Sequence, residues 1–267
     1  MQNGEFFGIQ DRKLELGNVT MTATTYTHAK VEWHQHENAY FTFLLAGRMA
    51  EINRKGRLDC TPGTLLFHNA EEAHYNLKPK EYTRGFHLEL GQDWITYFDG
   101  SIEPGSYPVL DPRRKLVMFE LLREFLNFDG SQPAAAECLV NSLVQRSETT
   151  ERQRVLVTPK WVALVRELLH DLPAHRWTLA ELSKTADIHP NHLSRAFPNY
   201  FGCTLGQYIR TVRVERALTL MVSSTQSLSE ISHRCGFSDQ SHFNRTFRTV
   251  LRRTPLRYRK SLTWPPR

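Results

Sequence analysis

Two strings of side chains hold the residue types that hydrogen-bond to nucleic-acid bases. The first presents Asn191, His192, Ser194 and Arg195, and the second presents Gln240, Ser241, His242, Asn244 and Arg245. Arginine meets guanine through two parallel N–H groups, and Asn or Gln meets adenine in a similar two-point way. Leu193 and Phe197 punctuate the first string, and Phe243 and Phe247 the second, at helical spacing. Each string reads as a helix with an apolar face turned to a core and a polar face turned out. A second constellation lies nearer the N-terminus, where His34-x-His36 is followed by Tyr40 and His74. Imidazoles and a phenol can hydrogen-bond a small molecule, and imidazoles can also ligate a metal ion.

The polar strings belong to a duplication. TLAELSKTADIHPNHLSRAFPNYFGCTLGQY starts at Thr178 and SLSEISHRCGFSDQSHFNRTFRTVLRRTPLRY at Ser227. Leu179, Glu181 and Leu182 match Leu228, Glu230 and Ile231 at an offset of 49. Leu193, Arg195, Phe197, Thr204 and Tyr208 match Phe243, Arg245, Phe247, Thr254 and Tyr258 at an offset of 50, so the second copy has gained one residue. Capping boxes at Thr178-x-x-Glu181, Thr204-x-x-Gln207 and Ser227-x-x-Glu230 mark three helix starts. They predict a helix from Leu179 to about Thr185, a turn over Ala186–His189 and a second helix over Pro190–Phe197. In the other copy Gly236 supplies the turn and Asp239–Phe247 the second helix. Two short helices with a tight turn make a helix-turn-helix, whose second helix enters the major groove. A longer helix over Gly206–Val222 joins the units and would set their spacing near one turn of DNA, ~34 Å.

Charge agrees. Residues 151–267 hold 19 Lys+Arg against 8 Asp+Glu, whereas residues 1–150 hold 15 against 20. A cationic half attracts polyanions. A helical bundle with a basic solvated face would explain the apolar spacing, but not the duplication and the polar second helices together.

Residues 160–260 resemble the DNA-binding domain of AraC/XylS-type regulators, most strongly over Ser229–Phe247 with Thr254-Pro255 and Tyr258-Arg259 after it. The resemblance implies two recognition helices entering successive major grooves, with recruitment of RNA polymerase as the route to activation. The first copy departs from the family pattern in two places. His189 stands where a Ser cap is usual, and Pro198 is expected to truncate the helix after Phe197. Arg252 replaces the usual Gly in the second copy, which Gly202 keeps in the first. The first head is therefore expected to read DNA less stringently.

The elements before residue 90 read as strands: Val19–Tyr26, Tyr40–Leu45, Met49–Ile52, Leu58–Cys60, Thr64–His68, Ala73–Leu77 and Tyr82–Leu90, with a hairpin turn at Asn53-Arg54-Lys55-Gly56. Short strands with punctuating turns predict a small barrel or sandwich. His34-x-His36, Tyr40, Gly47, Pro62-Gly63 and His74 resemble the cupin half of AraC-type regulators. In metal-binding cupins two His, a Glu and a further His hold a divalent ion. Here Tyr40 falls where that Glu would stand, no other carboxylate has the required spacing, and Glu37 points to the opposite face. Three readings stay open for His34, His36 and His74: an effector pocket, structural histidines, or a metal site completed by His87 or His28.

Helices follow at 112–128, started by Asp111-Pro112, and at 134–145. Their apolar stripe, with Leu122 at its centre, either packs on the barrel or pairs two chains, and the resemblance implies a homodimer. The fold class is multidomain α+β: a cupin-like barrel with trailing helices over 1–146, a linker and hinge over 147–157, and an all-α bihelical domain over 158–262. Cys60, Cys138, Cys203 and Cys235 form no ligand-like pair and suit a reducing compartment. No long apolar run or leader pattern is found, so a cytoplasmic protein without membrane contact is expected. The expected partners are duplex DNA, a small-molecule effector and RNA polymerase, with no catalytic residue, metal or cofactor assigned. Two rivals remain: a metal-dependent cupin enzyme with a DNA-binding appendage, and a regulator whose cupin only oligomerises.

Overall fold

The structure, a computed structural model, describes residues 4–78, 82–91, 94, 107–130, 133–144 and 159–262. The expected hinge at 147–157 lies outside the described residues. Two compact units emerge, residues 1–145 with 261–267, and residues 146–260.

Among the described residues the N-terminal unit has ten strands: β1 (Ile9–Leu16), β2 (Val19–Tyr26), β3 (Lys30–His34), β4 (Ala39–Ala46), β5 (Met49–Asn53), β6 (Gly56–Cys60), β7 (Leu65–His68), β8 (His74–Leu77), β9 (Thr83–Leu90) and β10 (Tyr107–Pro108). They form one sheet in the order β1-β2-β9-β4-β7-β10 and a second in the order β3-β8-β5-β6. Two helices follow, α1 (Pro112–Asn127) and α2 (Pro133–Val144).

The central strands of the larger sheet are buried on both faces. Thr22, His87 and Thr42 stand side by side in the register, and Ala23, Phe86 and Phe43 form the neighbouring row. Successive residues point to opposite faces. The Phe row packs on α1, Phe43 against Phe119 at 4.7 Å and Phe86 against Phe125 at 5.3 Å between ring centroids. The Thr–His row faces the smaller sheet. Arg12 of β1 lies over the Phe125 ring and donates to the carbonyls of Leu126 and Phe128, tying the edge strand to the end of α1. Leu122 is fully buried within this unit. The stripe on α1 is thus core of a single chain, which takes Leu122 away from any pairing surface.

The C-terminal unit holds α3 (Lys160–Asp171), α4 (Leu179–Thr185), α5 (Pro190–Phe201), α6 (Leu205–Ser223), α7 (Leu228–Arg234), α8 (Gln240–Leu251) and α9 (Pro255–Ser261). The first half packs Val162, Val165 and Leu169 of α3 against Leu182, Leu193, Phe197, Phe201 and Tyr208. In the second half Phe243 meets Phe237 and Phe247, and Phe247 meets Tyr258. All three expected capping boxes form, with both reciprocal hydrogen bonds at Thr178, Thr204 and Ser227.

Pro198 does not truncate α5, which runs on to Phe201. The proline has no N–H, so the Ser194 carbonyl loses its helical partner on an exposed face where water can replace it. Beyond it the last turn is held from inside. Phe201 stacks on Phe197 at 4.0 Å and meets Tyr208 at 4.9 Å. The two second helices therefore have equal length, 12 residues each.

Candidate nucleic-acid interface and the N-terminal pocket

The two copies have the same local design. α4 and α7 end in turns where Asp187 and Gly236 both take positive φ. Ile188 N–H then bonds the Ser183 carbonyl, and Phe237 N–H bonds the Ser232 carbonyl. These pairs keep the offset of 49, whereas the caps His189 and Asp239 already differ by 50, so the inserted residue is Ser238. Its hydroxyl donates to Asp239 and contacts His242 Nδ1 at 3.2 Å.

Each second helix is capped. Asp239 accepts from His242 N–H at 2.6 Å. His189 does the work of the usual hydroxyl, with its Nδ1 accepting from Asn191 N–H at 3.2 Å. Both helices close on a left-handed residue, Gly202 at φ 66° and Arg252 at φ 56°. None of the three departures from the family pattern disturbs the frame, so the frame supplies no cause for a less stringent first head.

Asn191, His192, Ser194, Arg195, Gln240, Ser241, Asn244 and Arg245 are all exposed, as the spacing requires. His242 differs: it is half-buried, edge-on to the Phe237 ring, with Nδ1 engaged by Ser238. Beyond the expected residues, Arg248, Arg252, Arg253 and Arg257 line one cleft with Thr254. Such a cluster suits phosphate rather than bases. Its signal was the string Leu251-Arg252-Arg253-Thr254-Pro255-Leu256-Arg257, which carries no base-reading amide.

In the N-terminal unit a pocket between the two sheets gathers His34, His36, Tyr40 and His74, and adds Glu51, His68, Lys78 and His87. Its free space is about 20 Å³, room for little more than one water. Phe6 fills the rest, stacked on His87 at 3.6 Å and near His36 at 5.0 Å between ring centroids. His28 lies outside it, exposed and edge-on to Phe7.

Backbone carbonyls fix two tautomers. His74 Nδ1 is 3.1 Å from the Glu72 carbonyl and His34 Nδ1 is 2.8 Å from the Glu32 carbonyl. A carbonyl only accepts, so each Nδ1 carries the proton and each Nε2 keeps its lone pair. Tyr40 donates its hydroxyl to His74 Nε2 at 3.1 Å. It thus occupies the motif carboxylate's place as a hydrogen-bond donor. His68 Nε2 meets the Glu51 carboxylate at 2.6 Å, with both side chains buried.

Burial, with help from neighbouring imidazoles, pushes His36 down to about 2 and His74 down to about 4. Burial lowers His34 too and holds His87 well below the usual range. Burial brings the Lys78 amine down to about 8, and this amine sits over the Tyr26 ring at 4.3 Å. Among the described residues two sets of donors converge closely enough for a metal, His34/His36/His74 and Glu51/His68/His74. The carboxylate missing at the motif spacing is therefore brought in by the fold, from β5.

The paired second helices and the arginine cleft define a double helix-turn-helix. Residues 182–261 match the family described as a helix-turn-helix domain. The chain is 26% identical over 152 residues to the HTH-type transcriptional regulator YijO of Escherichia coli (strain K12), covering 56% of this chain and 53% of that one. It is 35% identical over 119 residues to the HTH-type transcriptional activator Btr of Bacillus subtilis (strain 168), covering 44% and 22%. It is 32% identical over 104 residues to an AraC-like transcription regulator of Streptomyces lividans, covering 39% and 34%. The matches span about half or less of these relatives' lengths. Residues 182–261 thus carry a helix-turn-helix domain. Among the described residues no helix is long and apolar enough to cross a membrane.

Proposed function

We propose that the chain is a cytoplasmic transcription regulator that reads a specific duplex site with α5 and α8 and activates by recruiting RNA polymerase. The observation that carries this is the duplication itself, with Arg195 and Arg245 exposed at matching positions of two equal helices. The activator reading draws support from the likeness to Btr. The regulator works as a homodimer, and a small molecule bound between the N-terminal sheets biases its arrangement on DNA. Any effector larger than a water takes the place of the Phe6 ring beside His87. The effector must bind one arrangement more tightly than the other to act at all.

Footprinting the full-length protein on DNA flanking its own gene, at physiological salt, tests the reading. Two protected major-groove segments about one turn apart, weakened in Arg245→Ala, are expected. Coverage without boundaries, unchanged in the variant, would reduce the claim to non-specific cationic binding.

A further inference from the structure

We propose that Glu51, His68 and His74 bind one divalent first-row transition-metal ion in the N-terminal pocket. The donor set differs from the one the cupin resemblance implies, sharing with it only His74. The site stands whether or not pocket occupancy alters DNA binding.

Four observations carry the assignment. The donor atoms of Glu51, His68 and His74 lie within 4.8 Å of one another, and all three residues are buried. His74 is oriented as a ligand usually is, its Nδ1–H spent on the Glu72 carbonyl and its Nε2 facing inward, where an ion would take the place of the Tyr40 hydroxyl's hydrogen bond. The pocket's free space of about 20 Å³ suits an ion or one water, not an organic molecule. His68 Nδ1 is buried without a hydrogen bond, while Nε2 meets Glu51 and the ring face stacks on Tyr40 at 4.2 Å, which leaves one ring nitrogen unspent beside the other donors.

Charge decides between the two donor sets. An ion held by His34, His36 and His74 would keep its full double charge in a buried site, because all three ligands are neutral. Glu51 cancels half of it, and a buried charge is tolerated when paired. Two imidazoles and one carboxylate are a common set for zinc and ferrous iron, and leave positions open to further ligands.

The test is titration of the chelator-stripped full-length protein with Zn²⁺ by calorimetry and with Co²⁺ by visible absorption. One equivalent is expected, with a raised melting temperature and cobalt bands of nitrogen and oxygen coordination. Glu51→Gln and His68→Ala should each weaken binding by about 100-fold or more, because even outer-shell losses cost 10- to 100-fold. His34→Ala and His36→Ala should keep the wild-type stoichiometry and cobalt spectrum. Absence of binding by the wild-type chain overturns the site. So does a loss that follows His34 and His36 instead of Glu51 and His68. Should Glu51→Gln fail to fold, the cobalt spectra of wild type and His34→Ala decide alone: identical spectra support the site, and a changed one refutes it.

Discussion

Asp187 and Gly236 occupy the same corner of the two helix-turn-helix copies, at φ 49° and φ 79°, yet only Gly236 is hemmed in. A Cβ on Gly236 would lie 2.6 Å from both Cα and O of Ala174, in the loop after α3. Arg213 holds that loop by donating to the Pro173 and His175 carbonyls. Gly236→Ala therefore combines a left-handed penalty with a backbone collision, and should destabilise by about 2–4 kcal/mol. Asp187→Gly should change stability by less than about 1 kcal/mol, since relief of the left-handed residue is offset by added unfolded-state freedom. Urea melting of both variants checks the contrast. Equal effects would mean that φ alone, not the approach of Ala174, sets the residue at this corner.

Pro198 offers a stabilising substitution. Pro198→Ala restores an N–H for the Ser194 carbonyl inside α5 without touching the Phe197–Phe201 stack. The helical gain of about 3 kcal/mol is reduced by the greater freedom of the unfolded chain, leaving about 1–2 kcal/mol. Chemical denaturation followed by far-ultraviolet dichroism should show a higher midpoint. A lower one would show that the pyrrolidine ring packs better than the restored hydrogen bond.

What the sequence made legible follows from how local each signal is. Capping boxes, the offset repeat and the alternating strands β2, β4 and β9 are set by near neighbours, and they form within a residue or two of expectation. β1 and β3 were not foreseen. β1 is an edge strand of charged and half-exposed residues, IQDRKLEL, and β3 is KVEWH, so neither has the apolar alternation of a core strand. Pro198 misled because a propensity rule cannot weigh the aromatic contacts that carry the helix past it. Glu51 was invisible as a pocket residue because β5 reaches His68 and His74 only through sheet pairing and packing of distant strands.

The arginines of the two halves of the interface should separate in their effects. Arg195→Ala and Arg245→Ala should each weaken cognate binding by about 1–3 kcal/mol and leave non-specific binding nearly unchanged. Because the frames are equivalent, comparable losses at the two heads are expected. Arg253→Ala and Arg257→Ala should weaken all duplexes alike, each lowering the slope of log affinity against log salt by about 1. Fluorescence anisotropy across a salt series separates the classes. A cognate-only loss in Arg253→Ala would move that residue from phosphate to bases.

His87 predicts an acid limit for the N-terminal unit. Its ring is enclosed by the Tyr26 hydroxyl at 3.0 Å, the Thr42 hydroxyl at 3.2 Å and the Phe6 face, with Lys78 and His68 as the nearby cations or potential cations. Burial, then those charges, holds His87 well below the usual histidine value. Below about pH 6.5 the unfolded chain gains a proton that the folded chain refuses, so stability falls as pH drops. The slope from this residue is about 1.4 kcal/mol per pH unit, and above pH 6.5 its contribution is flat. Denaturation of chelator-treated protein between pH 7.5 and 5, compared with His87→Asn, reads the term directly. The variant should lose that part of the acid slope whatever its stability at neutral pH. An unchanged slope would place the proton uptake elsewhere in the pocket and leave His87 as packing alone.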